Sequence, residues 1–313
     1  MRVPDPSKSL QASEKQGENV VDGATSGSAA CDKAPALCRD GDKACDNPTL
    51  PPWARLSINR CNLPAVILGS YTYQQHPSAL VLDGVLELHR DFFALLDAEP
   101  SEDVRLQRFY DYMSVSFRLD ALEDAGYSQG VSKRRGRLNY LKLIRGWHFN
   151  SDSVEGAVLK AWVESRFGLL PRHHRAPIRD FSGEPYRLYL EQRATGLYNT
   201  NALEAQLDLV YTWTQYELKR RFPDTSHFTL FRGLNRWEAH EILGEHDGQS
   251  LVLLNNVNSF TFQRERAEEF GDSVIRTQVP VPRVLCLARL MAARLQGEDE
   301  VLAIGGVYGV DGI

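Results

Sequence analysis

An α+β fold is predicted, with a helical N-terminal half followed by a mixed β core. Three observations lead there. From about residue 80 to 222, apolar residues recur at helical spacing between capping residues. From about 223 to 313, the apolar runs are shorter, β-branched or aromatic, and separated by turn residues. Elements sorted in this way, rather than alternating, argue against a doubly wound sheet.

Residues 1–50 read as a disordered tail, with 51–313 as a single domain. None of the 30 aromatic residues precedes Trp53, and the first fifty residues are rich in Ser, Gly, Ala, Asp and Lys. Such a stretch buries too little to offset its ordering entropy. Its Cys31, Cys38 and Cys45 recur every seven residues, looser than the pairs metal sites use.

The elements follow in order. Residues 80–97 read as a helix stopped by Pro100, and 101–125 as one capped by Ser101 and closed at Gly126. Ser153 and Gly168 bound a helix over 154–167, and a helix from about Pro185 to Thr195 stops at Gly196. Residues 200–221 follow Asn199 and end in Lys219, Arg220 and Arg221, which complement the helix dipole. Segments 227–233, 250–262, 273–278, 284–290 and 300–310 read as strands, interrupted by short helical pieces at 235–243 and 263–270.

Composition narrows the function. Hydrophobic residues make up 42% and charged residues 25% of 313, as in ordinary globular chains. No window holds the roughly 20 apolar residues of a membrane span, and the start lacks the apolar region of a secretory signal. Five cysteines do not make a disulfide framework at this length, so a cytoplasmic, reducing setting is expected. The net charge of −5 gives no bulk attraction to nucleic acid or membrane. Lys133, Arg134, Arg135, Arg137, Lys142 and Arg145, interleaved with Tyr140 and Trp147, form one basic run. It reads as a solvated face or a docking patch for an acidic protein, ahead of a nucleic-acid site.

Several motifs carry no chemistry. Gly305, Gly306 and Gly309 do not make a dinucleotide fingerprint and lead into no helix; turns or close backbone approach explain them better. His240-Glu241 lacks a second histidine at zinc spacing, since His246 is six residues on. His173-His174 lies among Arg172, Arg175 and Arg179, a poor cation site, and reads as a surface loop. No metal site is expected.

Three elements remain: Arg232-Gly233, Ser259-Phe260-Thr261, and Glu298-Asp299-Glu300. In this order, with 27 residues from Arg232 to Ser259 and 37 from Thr261 to Glu298, they resemble the arginine–serine–glutamate signature of arginine-specific mono-ADP-ribosyltransferases. NRCNLPAVILGS (59–70) and VLDGVLELHRDFFALL (81–96) extend the resemblance, from about Trp53 onward, to the bacterial branch acting on dinitrogenase reductase.

That resemblance implies an ADP-ribosyltransferase fold and NAD⁺ as co-substrate. The protein substrate it implies is the nitrogenase iron protein, whose modified arginine stops nitrogen fixation. It also implies control by a PII-type signal protein, with neither nucleic acid nor membrane insertion involved. Glu300 matches the glutamate that hydrogen-bonds the nicotinamide-ribose 2′-OH and stabilises positive charge at the anomeric carbon. Ser259 orients that carboxylate, Arg232 clamps the phosphates, and the Gly233 backbone lies against the nicotinamide amide. Phe260, Thr261 and Phe262 complete the cofactor-binding set, with Phe260 or Phe262 stacking on a ring or packing in the core. Phe260-Thr261 stands where family members often have Thr-Ser. Glu298 matches the glutamate that sets arginine specificity. Deprotonating a free guanidinium at pH 7 would cost about 7.5–9 kcal/mol, so that proton leaves late, as the new bond forms.

Two other readings share or replace this site. One is an NAD⁺ glycohydrolase, or a transferase with another protein acceptor. The other is a non-enzymatic regulatory module that docks through the basic run.

Overall fold

The computed structural model describes residues 49–119, 138–198, 200, 202–235, 237, 240–291 and 300–312. Cys31, Cys38, Cys45, Gly126, Lys133, Arg134, Arg135, Arg137, Asn199 and Glu298 lie outside the described residues, as do the first 48 positions of the expected tail. Leu50, the tail's last expected residue, is buried in the core.

Two short helices open the fold, α1 (Ala65–Leu68) and α2 (Tyr71–Gln75), the second capped by Ser70. The helix expected over 80–97 is instead two pieces, α3 (Val85–Leu88) and α4 (Arg90–Asp97). Gly84 enters α3 in the left-handed region, and His89 between the pieces leaves helical geometry, its Nδ1 2.8 Å from the Tyr112 hydroxyl. Helix α5 (Glu102–Phe117) starts at Ser101 as expected but ends at Arg118, well short of Gly126.

Helix α6 (Tyr140–Phe149) occupies the second half of the basic run. Asn139 caps it, accepting from the Lys142 amide, and Tyr140, Leu143, Ile144 and Trp147 form its buried stripe. Lys142 and Arg145 lie on the exposed face. Helix α7 (Val154–Phe167) runs between Ser153 and Gly168, and nearly all of it is buried.

His173 and His174 form one arm (β1) of a small hairpin with Ala176–Pro177 (β2), not a surface loop. His174 is fully buried, because its ring bonds inward to Lys160 and Gln192. Helix α8 (Glu184–Leu197) runs through Gly196, the expected stop. A Cβ there would collide with Val158 and Val154, so the glycine permits close packing of α8 on α7. Helix α9 (Leu203–Arg221) carries its three basic residues in the last turn.

The remaining elements are β3 (His227–Leu234), β4 (Glu241–His246), β5 (Gln249–Thr261), α10 (Arg264–Glu268), β6 (Ser273–Pro280), β7 (Val284–Leu287) and β8 (Glu300–Gly312). The helix expected at 235–243 is corrected here, since Glu241 to His246 pair with β5 as an edge strand. The expected strand 284–290 ends at Leu287 and passes into a 3₁₀ turn, Ala288–Met291.

The strands run in the order β4-β5-β3-β6-β8-β7, with β5 also paired to β8, and every pairing is antiparallel. Strands β3 and β6 pair along their lengths but touch β5 and β8 only at their ends. The sheet therefore closes on itself. Its middle pair carries a bulge at Asn255-Asn256. Asn256 donates to the carbonyls of Lys160 and Leu169, and the Asn255 Oδ1 accepts from the amide of Arg172. The bulge thus fastens β5 to α7 and to the β1–β2 hairpin. Gly305 faces it so closely that a Cβ would strike the Asn255 carbonyl.

The helices cover this sheet through one apolar core, with Phe109 stacked on Trp213 at 4.2 Å. Two buried ion pairs join helix to helix. Arg105 binds Glu217 through two bonds of 2.7 and 3.0 Å, and Arg166 binds Asp208 at 2.8 and 3.0 Å. No described helix is long and apolar enough to cross a membrane.

Candidate active site

A cavity of about 1060 Å³ opens where β3 and β5 meet the β1–β2 hairpin. Arg232, Gly233, Asn258 and Ser259 line one side, and Arg172, His173, Arg175 and Arg179 another. Trp53, His240, Glu241 and Phe270 also line it.

The strands set the catalytic face. Ser259 pairs with Leu302, and Thr261 with Glu300, so Ser259 and Glu300 stand diagonally on one face of the β5–β8 ladder. Arg232, at the end of β3, crosses to this strand, its Nη1 donating to the Ser259 carbonyl at 2.7 Å. Its Nε is buried without a hydrogen-bond partner. Burial pushes the Arg232 guanidinium down to about 10, opposed by the negative charge of Glu300. It stays a cation at neutral pH.

Helix α6 closes this face from the helical half. The Trp147 indole N–H donates to the Ser259 hydroxyl oxygen at 2.9 Å. The next residue, His148, brings Nε2 to 3.0 Å from Glu300 Oε2. His148 was not among the candidates taken from the sequence, and Trp147 was read only as part of the basic run. The signal that was available is the 140, 143, 144, 147 stripe behind an Asn cap, which marks a helix with Trp147 facing inward.

Of the residues taken from the sequence, Arg232, Ser259 and Glu300 come together, and Glu298 lies outside the described residues. Gly233 lines the cavity, but its missing side chain is explained on the other side, where a Cβ would strike the Ala267 carbonyl. Phe260 points away from Ser259 into the core, against the Tyr308 ring, and is 2% exposed. Thr261 is buried and its hydroxyl accepts from the Gln263 amide. Phe262 packs edge-on against Phe228 and under the Arg289 guanidinium. Of this aromatic and threonine set, none lines the cavity.

At the hairpin wall sits a charge cluster in which Lys160 and His174 are buried and Asp152 lines the cavity. Lys160 donates to Asp152 and to the His173 carbonyl, both at 2.9 Å, and lies 3.2 Å from His174 Nδ1. Burial opposes ionisation of Asp152, but His173 and Lys160 hold its carboxyl well below the usual range. Burial, then the Lys160 charge, pushes His174 down to about 4. Burial also lowers His240, helped by Arg232 and His173. Among the described residues, no three His, Cys, Asp or Glu side chains gather as metal ligands.

A closed antiparallel sheet with arginine and serine at one cavity, and a glutamate beside them on the same face, is the arrangement that the arginine–serine–glutamate signature of ADP-ribosyltransferases calls for. The chain belongs to the dinitrogenase reductase ADP-ribosyltransferase family, whose pattern it matches over residues 58–312. It is similar to the NAD(+)–dinitrogen-reductase ADP-D-ribosyltransferase of Rhodospirillum rubrum. The two are 37% identical over 256 residues, which cover 80% of this chain and 93% of the relative. No solved structure matches the chain.

Proposed function

We propose that the chain transfers ADP-ribose from NAD⁺ to an arginine of the nitrogenase iron protein, dinitrogenase reductase, and so switches off nitrogen fixation. The observation that carries this reading is that Arg232 and Ser259 line one cavity with Glu300 beside them on the same strand face, in a chain of this family. The cavity has the volume a dinucleotide needs. Arg232 and Arg172 line it, and guanidinium groups suit a pyrophosphate.

Bound NAD⁺ supplies the ADP-ribosyl group, with nicotinamide as a leaving group that departs with the electrons of the glycosidic bond. Arg232 holds the phosphates as a permanent cation. Glu300 accepts the hydrogen bond of the ribose 2′-OH, and its charge stabilises the positive charge that builds on the anomeric carbon. Ser259 and the residues around Glu300 fix that carboxylate in place. Glu298 binds the incoming guanidinium by a charge-assisted hydrogen bond and takes its proton as the carbon–nitrogen bond forms. Attack opposite to the departing nicotinamide turns the β linkage into an α linkage. A PII-type regulator and a cytoplasmic location belong to the same proposal; co-purification of such a regulator with the chain tests the former.

The experiment incubates the chain with labelled NAD⁺ and dinitrogenase reductase. Label transfer to the iron protein is expected, with a loss of at least about 100-fold in Glu300→Gln. Glu298→Gln is expected to lose transfer and keep NAD⁺ hydrolysis. Nicotinamide release that is indifferent to the iron protein, with no label on it, would overturn the proposal in favour of a glycohydrolase.

A further inference from the structure

We infer that His148 is a positioning residue for the catalytic carboxylate, so that the helical half completes the active site by holding Glu300 through its imidazole. This rests on the reading of Glu300 given above.

The geometry is specific. Trp147 and His148 are neighbours at the end of α6, and they reach two different strands. Trp147 holds Ser259 on β5 at 2.9 Å, and His148 holds Glu300 on β8 at 3.0 Å. Consecutive helical residues diverge by about 100°. Adjacent strands lie about 4.8 Å apart, so one helix end spans both. The His148 and Glu300 side chains are only 14% and 11% exposed. A carboxylate this dry needs a donor, and the pair is little screened by solvent. An imidazole supplies that donor either charged or as the neutral Nε2–H tautomer. The resemblance gives an orienting role to Ser259, whose oxygen here accepts from the Trp147 indole and so keeps its own hydroxyl hydrogen to donate; His148 adds a second hold on the carboxylate.

Among the described residues, charged and titratable groups near the pair include the following. Arg232 on β3 is in electrostatic contact with Glu300. The buried Cys286 thiol on β7 is pushed up by burial and by Glu300, and stays neutral. On α6 itself, Lys142 and Arg145 are exposed. His148 is the group among these that lies within hydrogen-bond reach of the carboxylate.

The test uses the full chain with NAD⁺ and dinitrogenase reductase, measuring kcat and the KM for NAD⁺ from about pH 5 to 9. In His148→Ala, kcat is expected to fall about 10- to 100-fold while KM changes less than about twofold. Removing a donor from a carboxylate raises its pKa, so the acid limb of the kcat profile is expected to move to higher pH. His148→Gln, whose amide N–H sits near the place of Nε2, is expected to recover most of kcat. A His148→Ala protein as active as the parent, or more active, would overturn the inference, the latter showing that His148 restrains Glu300. An equal fall at every pH, shared by His148→Gln and accompanied by lowered thermal stability, would also overturn it. An inactive Glu300→Gln beside a fully active His148→Ala would defeat this inference alone, whereas an active Glu300→Gln would defeat the assignment of Glu300 itself.

Discussion

Lys160, Asp152 and His174 are a buried cation, its counter-ion on the cavity wall and an imidazole kept neutral. His174 has the sharpest consequence. In the unfolded chain it takes a proton near pH 6.5, but in the fold burial and Lys160 push that event down to about 4. The unfolded state therefore binds more protons between these values. Stability is fully present above about pH 6.5 and is lost as pH falls toward 4. The window corresponds to a contribution of up to about 3 kcal/mol. Urea midpoints measured across this range should slope downward, and His174→Gln should flatten the slope; an unchanged slope would remove His174 as the cause. None of this was legible in the sequence, where His173-His174 sat among arginines and suggested a loop. Burial there depends on α8 packing over the hairpin, with Gln192 bonding the ring. By contrast Arg232, Ser259 and Glu300 were named as candidates through the signature they resemble, because its order and spacing survive in one dimension.

At the scale of elements, α6 matters most. Its buried stripe and Asn139 cap are ordinary, yet its C-terminal end delivers Trp147 and His148 to two strands. Asn139→Ala removes the bond to the Lys142 amide and should cost about 1 kcal/mol of stability. Its effect on transfer should be larger than that cost implies, because fraying displaces the groups that hold Ser259 and Glu300. Chemical denaturation and a transfer assay on the same preparation check this. Activity falling only in proportion to the unfolded fraction would refute it. The basic residues of this segment drew attention away from its apolar period. Similarly, Glu241–His246 carries too little apolar pattern to announce an edge strand. Its strand identity comes from pairing with β5. Helix α7 was legible to the residue, since Ser153 and Gly168 are local signals of start and stop.

For the whole molecule, Arg283 ties the opening helices to the sheet. It is fully buried and donates to the carbonyls of Leu68, Ser70 and Val307. Its guanidinium lies 4.6 Å from the Tyr308 ring centroid and 5.2 Å from that of Tyr73. Carbonyl oxygens and ring faces take the place of a carboxylate here. Arg283→Met keeps much of the volume but leaves three buried carbonyls short of donors. A loss of about 3–5 kcal/mol is expected, read as a lower urea midpoint. A midpoint within experimental error of the parent would show the tie to be dispensable.

The order of helices and strands and the caps Ser101, Ser153 and Gly168 could be read along the chain. Each depends on neighbours within a few residues, or on strand alternation that sets which side chains share a face. Closure of the sheet, the bulge at Asn255-Asn256, the inward turn of Phe260 and the arrival of α6 over Glu300 could not. Those are contacts between segments far apart in the chain, or choices between two faces of a strand, and burial against distant partners makes them.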